Sequence, residues 1–97
     1  MIRRTQPRGS DLVRVSFSLP LAETPDTVSV VGDFNDWDPA VHQLRKRSNG
    51  TRSVTIDLTR GETYAFKYLG ADGQWLTEPE AEAAPNEWGE HNSLLEL

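Results

Sequence analysis

From Val13 onward apolar and polar residues take turns. Val13, Val15, Phe17 and Leu19 are separated by Arg14, Ser16 and Ser18. This period of two predicts a strand with one face buried, closed by Pro20 and Pro25 because proline has no N–H for a ladder. Val28 and Val30, with Ser29 and Val31 between and after them, predict a second strand that ends at Gly32. The stretch Asp33-Phe34-Asn35-Asp36-Trp37-Asp38-Pro39 is rich in turn formers. A short strand is expected around Leu44, from Gln43 to Arg47, and Ser48-Asn49-Gly50 follows as a tight hairpin turn, since Asn-Gly tolerates positive φ. Val54, Ile56 and Leu58 alternate with Ser53, Thr55 and Asp57. After Arg60-Gly61, Tyr64, Phe66 and Tyr68 alternate with Ala65, Lys67 and Leu69. Gly70-Ala71-Asp72-Gly73 forms a hairpin loop into Gln74–Thr77, and Ser93–Leu97 forms a closing strand with Leu95 and Leu97 on one face.

Two segments show no apolar period. Residues 1–10 are basic, contain Pro7 and Gly9, and are expected to form a loose N-terminal arm ahead of a domain spanning 11–97. The acidic stretch from Glu78 to Glu90 carries Pro79, Pro85 and Gly89 and is expected to be a solvated loop. Its Glu80–Ala83 portion is too short and too closely bracketed by prolines to be a helix. Short strands at regular intervals without a helix describe an all-β chain, an immunoglobulin-like β-sandwich of about seven short antiparallel strands.

Composition narrows the function. The chain has 97 residues, enough for one core but not for a core plus a deep internal cleft. It has no cysteine, which excludes disulfides and thiolate metal sites. A net charge of -5 argues against nucleic acid and anionic membranes as partners, because both need a basic face. No apolar run is long enough to span a bilayer. The first residues are basic but lead into no apolar segment, so no signal peptide is expected and the cytoplasm is the default location.

The aromatic residues suggest a chemistry. Tyr64, Phe66 and Tyr68 share one face of their strand and suit the core, which directs Lys67 to the other face. Trp37 and Trp75 fall in or beside turns, and Trp88 lies in the acidic stretch. Exposed on the Lys67 face, two indoles make a flat apolar platform beside hydrogen-bond donors. A sugar ring fits such a surface, with its C–H faces on the indoles and its hydroxyl rim on Lys or Asn. Taken on composition and periodicity alone, ordinary core or rim packing of Trp37 and Trp75 is the favoured explanation of the pattern.

Val28-Ser29-Val30-Val31-Gly32-Asp33-Phe34-Asn35-Asp36-Trp37 resembles the Gly-x-Phe-Asn-x-Trp signature of the family 48 carbohydrate-binding modules. These include the isoamylase N-terminal (early set) domains and the glycogen-binding domain of the AMP-activated kinase β-subunit. Further segments fall in the same order: Leu58-x-x-Gly61, Tyr64-Ala65-Phe66-Lys67-Tyr68, Asp72-Gly73-Gln74-Trp75, and Gly89-x-x-Asn92 before the last strand. The resemblance runs from about Leu12 to Leu97 and implies non-catalytic binding of α-1,4-glucan such as glycogen, starch or maltodextrin, with no cofactor. It also implies roles. Trp37 and Trp75 match tryptophans that stack on glucose rings, Lys67 matches a sugar-contacting lysine, and Asn92 matches an asparagine that bonds hydroxyls. The chain departs from the kinase module at Trp88, where that module has a leucine, and at Glu90, where it has a threonine. Its Leu69–Gly73 hairpin is also slightly longer. An indole at position 88 either extends the platform or plugs the site. The same fold serves elsewhere as an appended module packed on a catalytic domain, so an enzyme of glycogen metabolism is the expected protein partner. The alternative function is a protein-interaction adaptor whose glucan site has decayed and whose tryptophans are interface anchors.

Other signals have simpler explanations. The acidic residues do not form a glycosidase pair, because Asp33, Asp36, Asp38 and Asp72 sit at turns that Asx bonding explains. Asp33-x-Asn35-x-Trp37 lacks the glycine and glutamate of a calcium loop. His42 and His91 lack a second ligand at useful spacing, so no metal site is expected, and no serine or cysteine stands near a histidine for a triad. Asn49-Gly50-Thr51 matches a glycosylation sequon, but the hairpin turn accounts for it.

Overall fold

Alternation along the strands divides the side chains between one shared interior and two outer faces. The computed structural model describes residues 1–6, 8–24, 27–78, 81–85 and 91–97. Nine strands occur among them: β1 Ile2–Thr5, β2 Leu12–Pro20, β3 Val28–Gly32, β4 Arg45–Lys46, β5 Thr51–Thr59, β6 Thr63–Gly70, β7 Trp75–Leu76, β8 Glu82–Pro85 and β9 His91–Glu96. One 3-10 turn, Leu21–Glu23, follows β2. The strands form two antiparallel sheets, a β-sandwich. One has the order β1-β2-β5-β4. The other has the order β3-β6-β9-β8, with β7 paired to β6.

The core lies where the alternation predicts it. Val13, Val15, Phe17 and Leu19 of β2 and Ile56 and Leu58 of β5 face Val28 and Val30 of β3, Phe66 and Tyr68 of β6, and Leu95 of β9. Phe17 is at the centre, fully buried, with the Phe66 ring 5.2 Å away edge-on and the Phe34 ring stacked at 5.9 Å. Aromatic pairs at such distances add to the stabilisation from buried area.

Turn chemistry joins the strands as the sequence indicates. Gly50, Gly61 and Gly73 all have positive φ, at 84°, 85° and 84°, and each marks an expected turn. Leu44 is buried, as expected, but pairing around it is confined to β4 and a single bridge from Gln43 to Ser29.

Three regions differ from the expectations. Residues 1–10 are not a loose arm throughout, because β1 pairs with β2 from Ile2↔Phe17 to Thr5↔Arg14. The exposed edge of β2 supplies a ladder, and Ile2 packs against the core. Within the acidic stretch, Glu82–Pro85 forms β8, whose backbone pairs with β9 from Glu82↔Leu94 to Pro85↔His91. Glu78 is buried rather than solvated: its Oε1 accepts hydrogen bonds from the Tyr68 hydroxyl at 2.8 Å and the Met1 amino group at 2.8 Å. A buried carboxylate needs such partners.

Candidate functional site

The outer face of the second sheet carries most of the residues singled out in the sequence. Tyr64, Phe66 and Tyr68 turn inward on β6, so Ala65, Lys67 and Leu69 turn outward. Trp75 lies directly opposite Leu69 in the β6–β7 pair. Cross-strand partners share a face, so the Trp75 indole stands on the Lys67 side. It is 50% exposed, and among the described residues no other aromatic side chain of Trp or Phe is as open to solvent.

Lys67 faces outward yet is only 5% exposed. Its Nζ lies 5.5 Å from the centroid of the Trp75 ring, within the range of a cation–π contact. Of all lysines and arginines, Lys67 alone falls within the strands of this sheet. On its other side it is level with Val31 of β3. The β6–β9 register ends at Phe66↔Ser93, so the next residue, Asn92, comes level with Lys67. Because Ser93 and Leu95 are buried inward, alternation turns Asn92 outward with Leu94. Asn92 is half-buried.

Trp37 reaches the site by a different route. The turn after β3 is closed by the N–H groups of Asn35 and Trp37, which donate to the Gly32 carbonyl at 3.1 and 3.0 Å. Asp36 and Trp37 both adopt positive φ, at 54° and 59°. For a tryptophan this conformation costs about 1–3 kcal/mol and persists only where the surroundings enforce it.

Asn35 and Asp33 do the enforcing. The Gly32 N–H donates to Asn35 Oδ1 at 3.0 Å, which fixes the orientation of the amide. Asn35 Nδ2 then donates to the Val30 carbonyl at 3.0 Å and to His42 Nδ1 at 3.0 Å. His42 Nδ1 must therefore accept, so the ring is neutral with its proton on Nε2. Burial also lowers the His42 pKa from its ordinary value.

Asp33 links the turn to β6. Its Oδ1 accepts from Trp37 Nε1 at 3.2 Å and its Oδ2 from the Ala65 N–H at 2.9 Å, while its own N–H donates to the Ala65 carbonyl at 3.0 Å. The Trp37 indole is thus tethered to the β6 row, two residues from Lys67. The sequence suggested only a turn role for Asp33. The Asp-x-x-x-Trp spacing was visible, but not that Asp33, which holds the Trp37 indole, meets a strand thirty-two positions later.

Gly32 permits the close approach. A Cβ there would lie 2.5 Å from the Ala65 carbonyl oxygen and 2.8 Å from Phe66 Cβ. Phe34 fills the adjoining edge of the sandwich, with Tyr64 edge-on at 5.9 Å.

Trp88, the fifth candidate, lies outside the described residues. Among the described residues no cluster of three or more His, Asp or Glu is placed to hold a metal ion, and no helix is long and apolar enough to cross a membrane.

Residues 16–97 match the model of the family described as the glycogen recognition site of AMP-activated protein kinase. Among similar proteins, the 1,4-alpha-glucan branching enzyme GlgB of Pseudomonas putida is 46% identical over 71 residues, 71% of this chain and 9% of the enzyme. That of Rhodopseudomonas palustris (strain HaA2) is 44% identical over 59 residues, 60% of this chain and 8% of the enzyme. The amylopullulanase of Thermoanaerobacterium thermosulfurigenes is 36% identical over 66 residues, 65% of this chain and 3% of that protein. The chain thus matches less than a tenth of the length of each of these relatives.

Proposed function

The chain belongs to the family of the glycogen recognition site of AMP-activated protein kinase, and on that premise we propose that it binds α-1,4-linked glucan without catalysis, by stacking sugar rings on tryptophan. The observation that carries this reading is the half-exposed Trp75 indole, 5.5 Å from the Lys67 ammonium on the outer face of the sheet. Trp75 and Trp37 offer planar surface to the C–H faces of glucose. Lys67 donates to a hydroxyl, and Asn92, level with it, donates or accepts. Binding at so open a face leaves much of the sugar wet, so the affinity is millimolar to micromolar, about -4 to -8 kcal/mol.

The relatives' names, branching enzyme and amylopullulanase, support a glucan-processing enzyme as the catalytic unit that such a module serves. Holding the polymer near that unit raises its local concentration without new chemistry.

Titration with maltoheptaose tests the reading. Tryptophan fluorescence should change and calorimetry should show saturable heat at millimolar sugar. Trp37→Ala and Trp75→Ala should each abolish retardation in glycogen-containing gels. Unchanged fluorescence and heat overturn the proposal. Retardation that survives both substitutions removes the tryptophans from it.

A further inference from the structure

A second feature of the same face extends the reading above and rests on it. The row that holds Trp75 does not stop there. Trp75 is opposite Leu69 on β6, Leu69 is opposite Ser29 on β3, and Ser29 bridges to Gln43. Past Leu69 the row opens into a depression of about 390 Å³ between the Pro39–Gln43 segment and the Gly70–Gly73 hairpin. That volume lies within the ~300–1,000 Å³ typical of ligand clefts.

Both walls are built in advance. On one side Ser29 Oγ donates to the Pro39 carbonyl at 2.7 Å, and the Ala40 N–H donates to Asp38 Oδ1 at 2.9 Å. On the other side the Ala71 N–H donates to the Thr27 carbonyl at 2.9 Å, and the Gly73 N–H to the Gly70 carbonyl at 2.9 Å. A wall that is already ordered loses little entropy when a ligand arrives. The lining suits a sugar rather than an ion or a wholly apolar molecule. Leu69, Pro39, Ala40 and Ala71 present aliphatic surface, and Gln43 is exposed with an amide that both donates and accepts. Among the described residues no lysine, arginine, aspartate or glutamate lines it.

We propose that a glucan chain seated on Trp75 continues across Leu69 into this depression, which takes at least one further pyranose unit. Maltoheptaose reaches both places, and maltotriose is held on the Trp75 face without entering the depression.

The test uses the full chain, labelled with ¹⁵N and titrated with each sugar in turn. With maltoheptaose, the Trp75 indole resonance and the amides of Gln43, Ala71 and Gly73 should shift together. With maltotriose, the Trp75 resonance should shift and the other three should not. Ala71→Leu and Ala40→Leu fill the depression from exposed positions without removing a backbone donor. Each should weaken maltoheptaose by about tenfold and leave maltotriose within about twofold. If Trp75 responds to maltoheptaose while Gln43, Ala71 and Gly73 stay still, the continuation is wrong and glucan binding stands. Equal loss of both sugars in the filled variants also overturns it. If the Trp75 resonance fails to respond to either sugar, both readings fall.

Discussion

The ammonium of Lys67 and the ring of Trp75 sit 5.5 Å apart on the outer face of the second sheet, where strand alternation alone would leave a lysine in water and Lys67 is 5% exposed. The contact ties to the sheet face the one aromatic side chain that is exposed among the described residues.

Trp75→Ala should therefore affect binding more than stability. Trp75 is exposed, so its removal costs about 0.5–1 kcal/mol through the lost cation–π contact. Urea unfolding should show that small change, while maltoheptaose affinity, read by calorimetry, falls at least tenfold, about 1.4 kcal/mol.

Gly32→Ala should be one of the most damaging small substitutions. The added methyl meets the Ala65 carbonyl oxygen at 2.5 Å, and backbone cannot yield as a side chain can. We expect a loss of about 3 kcal/mol. Gly50→Ala is the control. Its φ of 84° strains an alanine, but the space around it is open, so the loss is about 1 kcal/mol. The two urea midpoints, measured side by side, check the order.

His42 should make stability depend on pH. Burial lowers its pKa below the ordinary 6.5, so between the folded value and 6.5 the unfolded chain binds more protons than the folded one. The stabilising contribution is present above about pH 6.5 and is lost as pH falls towards the lower folded value. Protonation would also set an N–H of the ring against the Asn35 amide. Urea midpoints at about pH 8 and about pH 5 should differ in the native chain, and less so in His42→Gln.

Phe17→Ala should separate folding from binding. Phe17 is fully buried against Phe34, Phe66 and Tyr68, and its truncation costs about 3–5 kcal/mol. The molecules that remain folded should bind maltoheptaose with native affinity, as calorimetry at low temperature would register.

Period-two alternation was enough to place Phe17, Ile56, Phe66 and Tyr68 in the core and Lys67 on the opposite face. Side-chain direction along a strand is a local property, and each residue carries it whatever lies alongside. Asn49-Gly50, Gly61 and Gly73 were equally legible, because positive φ is a demand on one residue. Which strand lies beside which is not local. The pairing of Ile2–Thr5 with β2, of Glu82–Pro85 with β9, and of Val28–Gly32 with β6 each joins segments whose own sequences do not name their partner. The burial of Lys67 and Glu78 and the tether from Asp33 to Ala65 follow from those pairings. Tertiary structure alone decided them, since a hydrogen bond or a covering ring exists only once two distant stretches of chain are brought together.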